Sequence, residues 1–194
     1  MKKHGIDVSK WQKNIDWEKV KEAGIEFAII REGYGKENPS QIDKRFEENY
    51  KGAKAAGIPV GVYHYSYADS VEDAKKEAQF CLKNIKGKQL EYPVVFNIED
   101  KEQLKLNNRQ RTDICKAFCK EIENAGYYAM IYCNLRQNRV YRDKKIAKGR
   151  RRARKAKRGR ATPIFCSEQT IIRPRDQNAY QRDRGLQEQT KNSI

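Results

Sequence analysis

The chain has 194 residues, of which 38% are hydrophobic and 35% charged, and its formal net charge is +16. That length supports one sizeable core or two small domains, and no stretch approaches the ~18 apolar residues that a spanning helix requires, so a polytopic membrane protein is excluded. Five scattered cysteines fit reduced thiols better than a disulfide framework, and +16 at face value suits a polyanionic partner.

Gly5-Ile6-Asp7-Val8 opens the chain as a short apolar run, with no apolar signal-peptide core before it. Trp17 and Val20 mark a helix that Gly24 stops. Phe27-Ala28-Ile29-Ile30-Arg31 is a continuous run, as expected of a strand covered on both faces. Ile42, Phe46, Tyr50 and Ala53 recur at helical spacing up to Gly57, and Pro59 to Tyr65 is the next strand. Ser70-Val71-Glu72-Asp73 has the pattern of a capping box and opens a helix striped by Val71, Ala74, Ala78, Leu82 and Ile85, with Gly87 as its stop. Tyr92 to Glu99 reads as a strand, Ile114 to Ala125 as a helix, and Ala129 to Tyr132 as a fifth strand. Strand and helix alternating through short loops means parallel βαβ units, either an open doubly wound sheet or a TIM-type barrel. No phosphate-cradling glycine loop follows the first strand, which weighs against nucleotide binding.

The charge is unevenly distributed. Residues 1–135 carry 23 Lys and Arg against 21 Asp and Glu, whereas residues 136–194 carry 19 against 5. Arg supplies 4 of the 23 bases in the first part and 13 of the 19 in the second. The chain therefore divides into an α/β body, 1–135, and a basic, Arg-rich, largely irregular tail, 136–194. Its densest run, from Gly149 to Arg160, is a candidate contact for nucleic acid or an anionic wall polymer, though it lacks the interleaved aromatics of base stacking. Two other readings are a disordered solvated segment and frame-shifted or fused sequence. Translating the alternative frames beyond codon 135 tests the last.

Three polar residues interrupt the apolar strands: Asp7, Asn97 and Glu99. A carboxylate late in a buried strand is costly unless it is paired or does chemistry. Period two puts Asn97 and Glu99 on one face, which in a barrel is the lumen, at the end where sites form. Glu99, behind Val94, Val95, Phe96 and Ile98, has the apolar company that suits a proton donor. The competing reading is a structural ion pair with Arg31 or His64.

Four segments carry a resemblance: Gly5 to Gln12, Ala28 to Gly35, Gly61 to Tyr65 and Pro93 to Glu99, in this order. Together they resemble the glycoside hydrolase family 25 lysozymes over about residues 4–135. The resemblance implies an N-acetylmuramidase acting on peptidoglycan, with no cofactor and no metal. It implies a TIM-like barrel of five βα units followed by three further strands. Glu99 would be the catalytic acid, Asp7 a first-strand carboxylate, and Asn97 stands where the family has an assisting Asp. Tyr63, Tyr65, Arg31, Tyr34 and His64 would line the sugar cleft, although a histidine inside a strand also suits a hydrogen-bonded core position. Beyond Leu135 the family's Trp-rich final strands do not appear, since both Trp residues lie in the first 17 positions. An incomplete barrel is therefore expected, and with it either an impaired enzyme or an inactive wall-binding relative. Cys115 and Cys119, four apart on a helix, read as semi-buried thiols rather than metal ligands. The lack of a signal core suggests synthesis inside the cell and release to the wall, as for a phage lysin.

Overall fold

The computed structural model of the chain describes residues 3–133 and the short strand at 164–165. β1 (Gly5–Val8) leads through one 3-10 turn, Lys10–Gln12, to α1 (Trp17–Glu22), which Asp16 caps by accepting from Lys19 N–H. β2 (Phe27–Tyr34), α2 (Phe46–Ala55), β3 (Val60–Tyr65), α3 (Val71–Ile85) and β4 (Val94–Asn97) follow. Next come α4 (Lys101–Lys105), α5 (Asn108–Asn124), β5 (Ala129–Tyr132) and β6 (Ile164–Phe165). The helix stops act as expected: Gly24 and Gly57 adopt φ of 79° and 68°, the left-handed region where a side chain would be strained.

All six strands are parallel and ordered β1-β2-β3-β4-β5-β6. This order has no switch point, so the doubly wound alternative is removed and the winding is that of a TIM-type sheet. Among the described strands, β1 and β6 form the two edges. β6 comes from the segment expected to be irregular, and it pairs Ile131 with Ile164 and Tyr132 with Phe165. The other expectations for 136–194 lie outside the described residues.

The two faces of the sheet differ. Val8, Ala28, Ile30, Val60, Val62, Val94, Phe96 and Ala129 pack with the helices in the main core. Phe96 stacks on Phe118 of α5 at 4.3 Å between ring centroids. Cys115 and Cys119 are buried in this same core, as small apolar groups, and the four described cysteines are free thiols. The opposite face carries a smaller cluster, Phe27, Ile29 and Val95, with Tyr63, Tyr92, Met130 and Tyr132 packed against it.

Three boundaries differ from the sequence expectation. β2 runs on to Tyr34, three residues past the apolar run, because Arg31 and Glu32 find buried partners. β4 ends at Asn97, so Glu99 lies beyond the strand, in the turn before α4. α4 itself was not anticipated; its five residues are too short to show a helical stripe, and only the Asp100 and Gln103 capping box announces it.

Candidate active site

Parallel register arranges the inner face in rows. Tyr34, Tyr65, Asn97 and Tyr132 are successive partners across β2 to β5, at the C-terminal ends of the strands. One step toward the N-terminal ends, Arg31, Tyr63, Val95 and Met130 form the next row. Asp7, on β1, pairs with Ile29 of β2 and acts electrostatically on Tyr63. Burial pushes the Tyr63 phenol up to about 12, the Arg31 charge opposes this, and Asp7 and Asp43 reinforce it. Tyr63 therefore stays a neutral hydrogen-bonding phenol at any working pH.

A β-bulge decides the composition of the upper row. The β2–β3 register shifts between Arg31 and Gly33, so Arg31 faces Tyr63, Gly33 faces His64 and Tyr34 faces Tyr65. Strict alternation would place Arg31 and Tyr34 on opposite faces; the extra residue restores Tyr34 to the inner side. The Arg31 guanidinium carbon then stands 5.9 Å from the Tyr34 ring centroid. Tyr34 and Tyr65 each meet Tyr67 edge-on, at 6.1 and 5.3 Å. Tyr67 is 40% exposed, which leaves its ring available to a ligand. Sequence reading missed Tyr67, although its alternation with Tyr63 and Tyr65 is a usable signal.

Asn97 is buried, and its Oδ1 has no hydrogen-bond partner among the described residues. Glu99, two residues on, is partly buried. The backbone on both sides of it is pinned: Ile98 N–H donates to Tyr132 O at 3.0 Å, and Asp100 N–H donates to Gln103 Oε1 at 3.2 Å.

His64 does not join these residues. It faces the helices, fully buried, between Phe80 and Phe118. Its Nδ1 is hydrogen-bonded to Glu32, and its Nε2 lies 3.8 Å from Glu77. The expectation that His64 lines the cleft is corrected: alternation along β3 turns it away from Tyr63 and Tyr65 to the helix side, where its Nδ1 meets the buried Glu32 carboxylate. Burial alone would lower the His64 pKa, but the Glu32 and Glu77 charges outweigh it and raise it. Burial likewise raises Glu77, against the His64 charge. Arg31 does stand in the inner rows, with its guanidinium on Asp43, another residue that sequence reading did not single out.

Glu32, His64 and Cys81 also bring three metal-type ligand atoms within 4.8 Å of one another. The three groups also bond to one another, through Glu32. Glu32 takes the His64 ring nitrogen, Asn84 Nδ2 at 2.8 Å and the Cys81 thiol, and burial keeps that thiol protonated by raising its pKa far above the ordinary value.

The model of the glycosyl hydrolases family 25 matches residues 6–153. Lysozyme M1 of Streptomyces globisporus is 47% identical over 62 residues, 32% of this chain and 20% of that protein. The uncharacterized protein YegX of Escherichia coli K12 is 34% identical over 106 residues, 52% of this chain and 37% of its own length. The chain thus spans less than two fifths of each of these relatives. Among solved structures, the modular autolysin LytC of Streptococcus pneumoniae, in complex with a synthetic peptidoglycan ligand, is 29% identical with a TM-score of 0.56, covering 66% of this chain and 32% of that one.

Proposed function

The chain belongs to the glycosyl hydrolases of family 25, and on that premise we propose that it cleaves the β-1,4 bond between N-acetylmuramic acid and N-acetylglucosamine in peptidoglycan. The observation that carries this reading is the placement of Asn97 and Glu99 at the C-terminal end of β4, beside an aromatic row. Flat rings at Tyr34, Tyr65 and Tyr67 suit the apolar faces of sugars. The peptidoglycan ligand of the LytC complex supports the choice of substrate class.

In the proposed mechanism Glu99 donates its proton to the glycosidic oxygen as the bond to the leaving sugar breaks; water then adds to the anomeric carbon and gives a proton back to Glu99. The transition state carries positive charge on the ring. Asn97 Oδ1 accepts from the N–H of the substrate's N-acetyl group and holds that group beneath the reacting carbon. An amide supplies the hydrogen bond without the negative charge that a carboxylate would add. Asp7 supplies charge from the β1 side of the same face, and Tyr63 stays neutral between them. Arg31, held by Asp43, acts on the sugar site through Tyr34.

The test is clearing of a purified bacterial wall suspension by the full chain and by Glu99→Gln and Asn97→Asp. Clearing by the wild type and not by Glu99→Gln supports the assignment; equal clearing by both overturns it. Asn97 also favours a second reading, an inactive relative that binds wall or a damaged gene product. Clearing by Asn97→Asp alone would select it.

No helix among the described residues is long and apolar enough to cross a membrane. Contact with an anionic wall polymer or nucleic acid through 136–194 falls outside the described residues.

A further inference from the structure

Gln103 lies on α4, four residues after Glu99, and its side chain is fully buried. Every polar group of that side chain is used. Its Oε1 accepts from Asp100 N–H at 3.2 Å. Its Nε2 donates to Ser66 Oγ and to Ala68 O, both at 2.9 Å. The first bond lies inside the turn that carries Glu99. The other two cross to the loop between β3 and α3, which carries Tyr67.

That second loop is tied in turn. Ser66 N–H donates to Asn97 O at 2.9 Å, Ala68 N–H to Ser66 Oγ at 3.0 Å, and Tyr67 N–H to Glu77 Oε1 at 2.8 Å. Two loops from different βα units are thus joined through one amide, close to the residues proposed to act on the sugar. A capping box alone needs only the acceptor half of Gln103, which a Glu at this position would also supply. The two donated bonds add nothing to α4 capping and act only between the loops.

We propose that Gln103 is a positioning residue that fixes the Glu99 carboxyl relative to the Tyr65 and Tyr67 rings, so that the acid and the sugar-holding surface keep one geometry. It rests on the muramidase reading for its consequence in rate, and on the structure alone for its consequence in rigidity. A misplacement of the order of 1 Å at a proton donor costs about a hundredfold. Binding is less affected, because the rings themselves remain.

The test uses the full chain with Gln103→Met, which keeps the volume and removes all three bonds, and Gln103→Glu, which keeps the acceptor for Asp100 N–H and as a carboxylate loses both donations. Reducing-end release from purified peptidoglycan is expected to show kcat down at least tenfold in each, with KM within twofold of wild type. Amide hydrogen exchange is expected to quicken in residues 66–68 and 98–100 together, while Val94–Phe96 stays protected. Wild-type kcat in both variants, KM rising in step with the fall in kcat, or exchange that is unchanged or quickened only in 98–104, would overturn the proposal. If the wild type itself releases no reducing ends, the muramidase reading fails separately and the exchange measurement decides the clamp.

Discussion

Arg31 and Asp43 form a buried ion pair in which both Nε, at 2.7 Å, and Nη2, at 2.6 Å, meet the same carboxylate oxygen. Asp43 also accepts Lys10 N–H at 3.1 Å and Arg45 N–H at 2.9 Å, so one carboxylate ties β2 to the turn after β1 and to the start of α2. Breaking such a pair from one side strands a charge away from water. Asp43→Ala is expected to lower unfolding free energy by about 3–5 kcal/mol, read as a shift of the urea midpoint. It should also lower sugar affinity, since Arg31 is then free to leave Tyr34.

Glu99→Gln removes the proposed proton donor and little else, because the amide has the same shape. Wall clearing is expected to fall by about 10²- to 10⁴-fold, with unchanged thermal stability. Asn97→Asp adds a negative charge where the proposed mechanism develops positive charge, and a gain of about 10- to 100-fold in clearing rate is expected. The measurement is the initial slope of turbidity loss at matched protein concentration.

Tyr67 is the most exposed ring of the aromatic group, so its loss removes a proposed sugar contact with little cost to the core. Tyr67→Ala is expected to weaken binding by about 0.5–1.5 kcal/mol, a KM increase of between about twofold and tenfold, with the thermal midpoint nearly unchanged. A large loss of stability would instead place Tyr67 among the structural residues.

The buried group Glu32, His64 and Glu77 predicts a pH dependence of stability. His64 is raised from 6.5 by its two glutamates, after burial has worked against it, and Glu77 is raised from 4.5 by burial. Both therefore bind protons more tightly folded than unfolded. The contribution of His64 is complete below 6.5 and is lost as pH rises through its folded value; that of Glu77 is lost above 4.5 in the same direction. Urea midpoints measured from about pH 6 to about pH 9 should fall with pH in the wild type, and this component should be missing in His64→Gln.

Much of the fold was legible because its cues are local. Apolar runs, helical stripes and left-handed glycines lie within a few residues of the elements they define, and five strands and the main helices sit where those cues placed them. The site was half legible. Tyr34, Tyr65 and Asn97 share one row of the sheet and Tyr63 the row below, with Asp7 on β1 and Glu99 in the turn after β4. His64 went astray because alternation counted from Tyr63 gives its side but says nothing of what fills that side. Asp43 and Gln103 were missed because their roles depend on partners 12 and 37 residues distant, and Tyr67 was missed although its alternation with Tyr65 is local.

The sequence by itself determined the alternating α/β order and the family, and it singled out Glu99 and Asn97 as the residues on which the proposed mechanism rests. Those follow from local spacing and from motifs read in order along the chain. Only the tertiary structure decided the singly wound strand order, the bulge that returns Tyr34 to the inner face, and the burial of His64 on the outer one. It also showed that Glu99 lies past its strand, in a turn held by Gln103. The physical reason is common to all four: strand neighbours, faces after a bulge and buried hydrogen bonds are set by pairing between distant segments, and a single extra residue reverses what the local period implies.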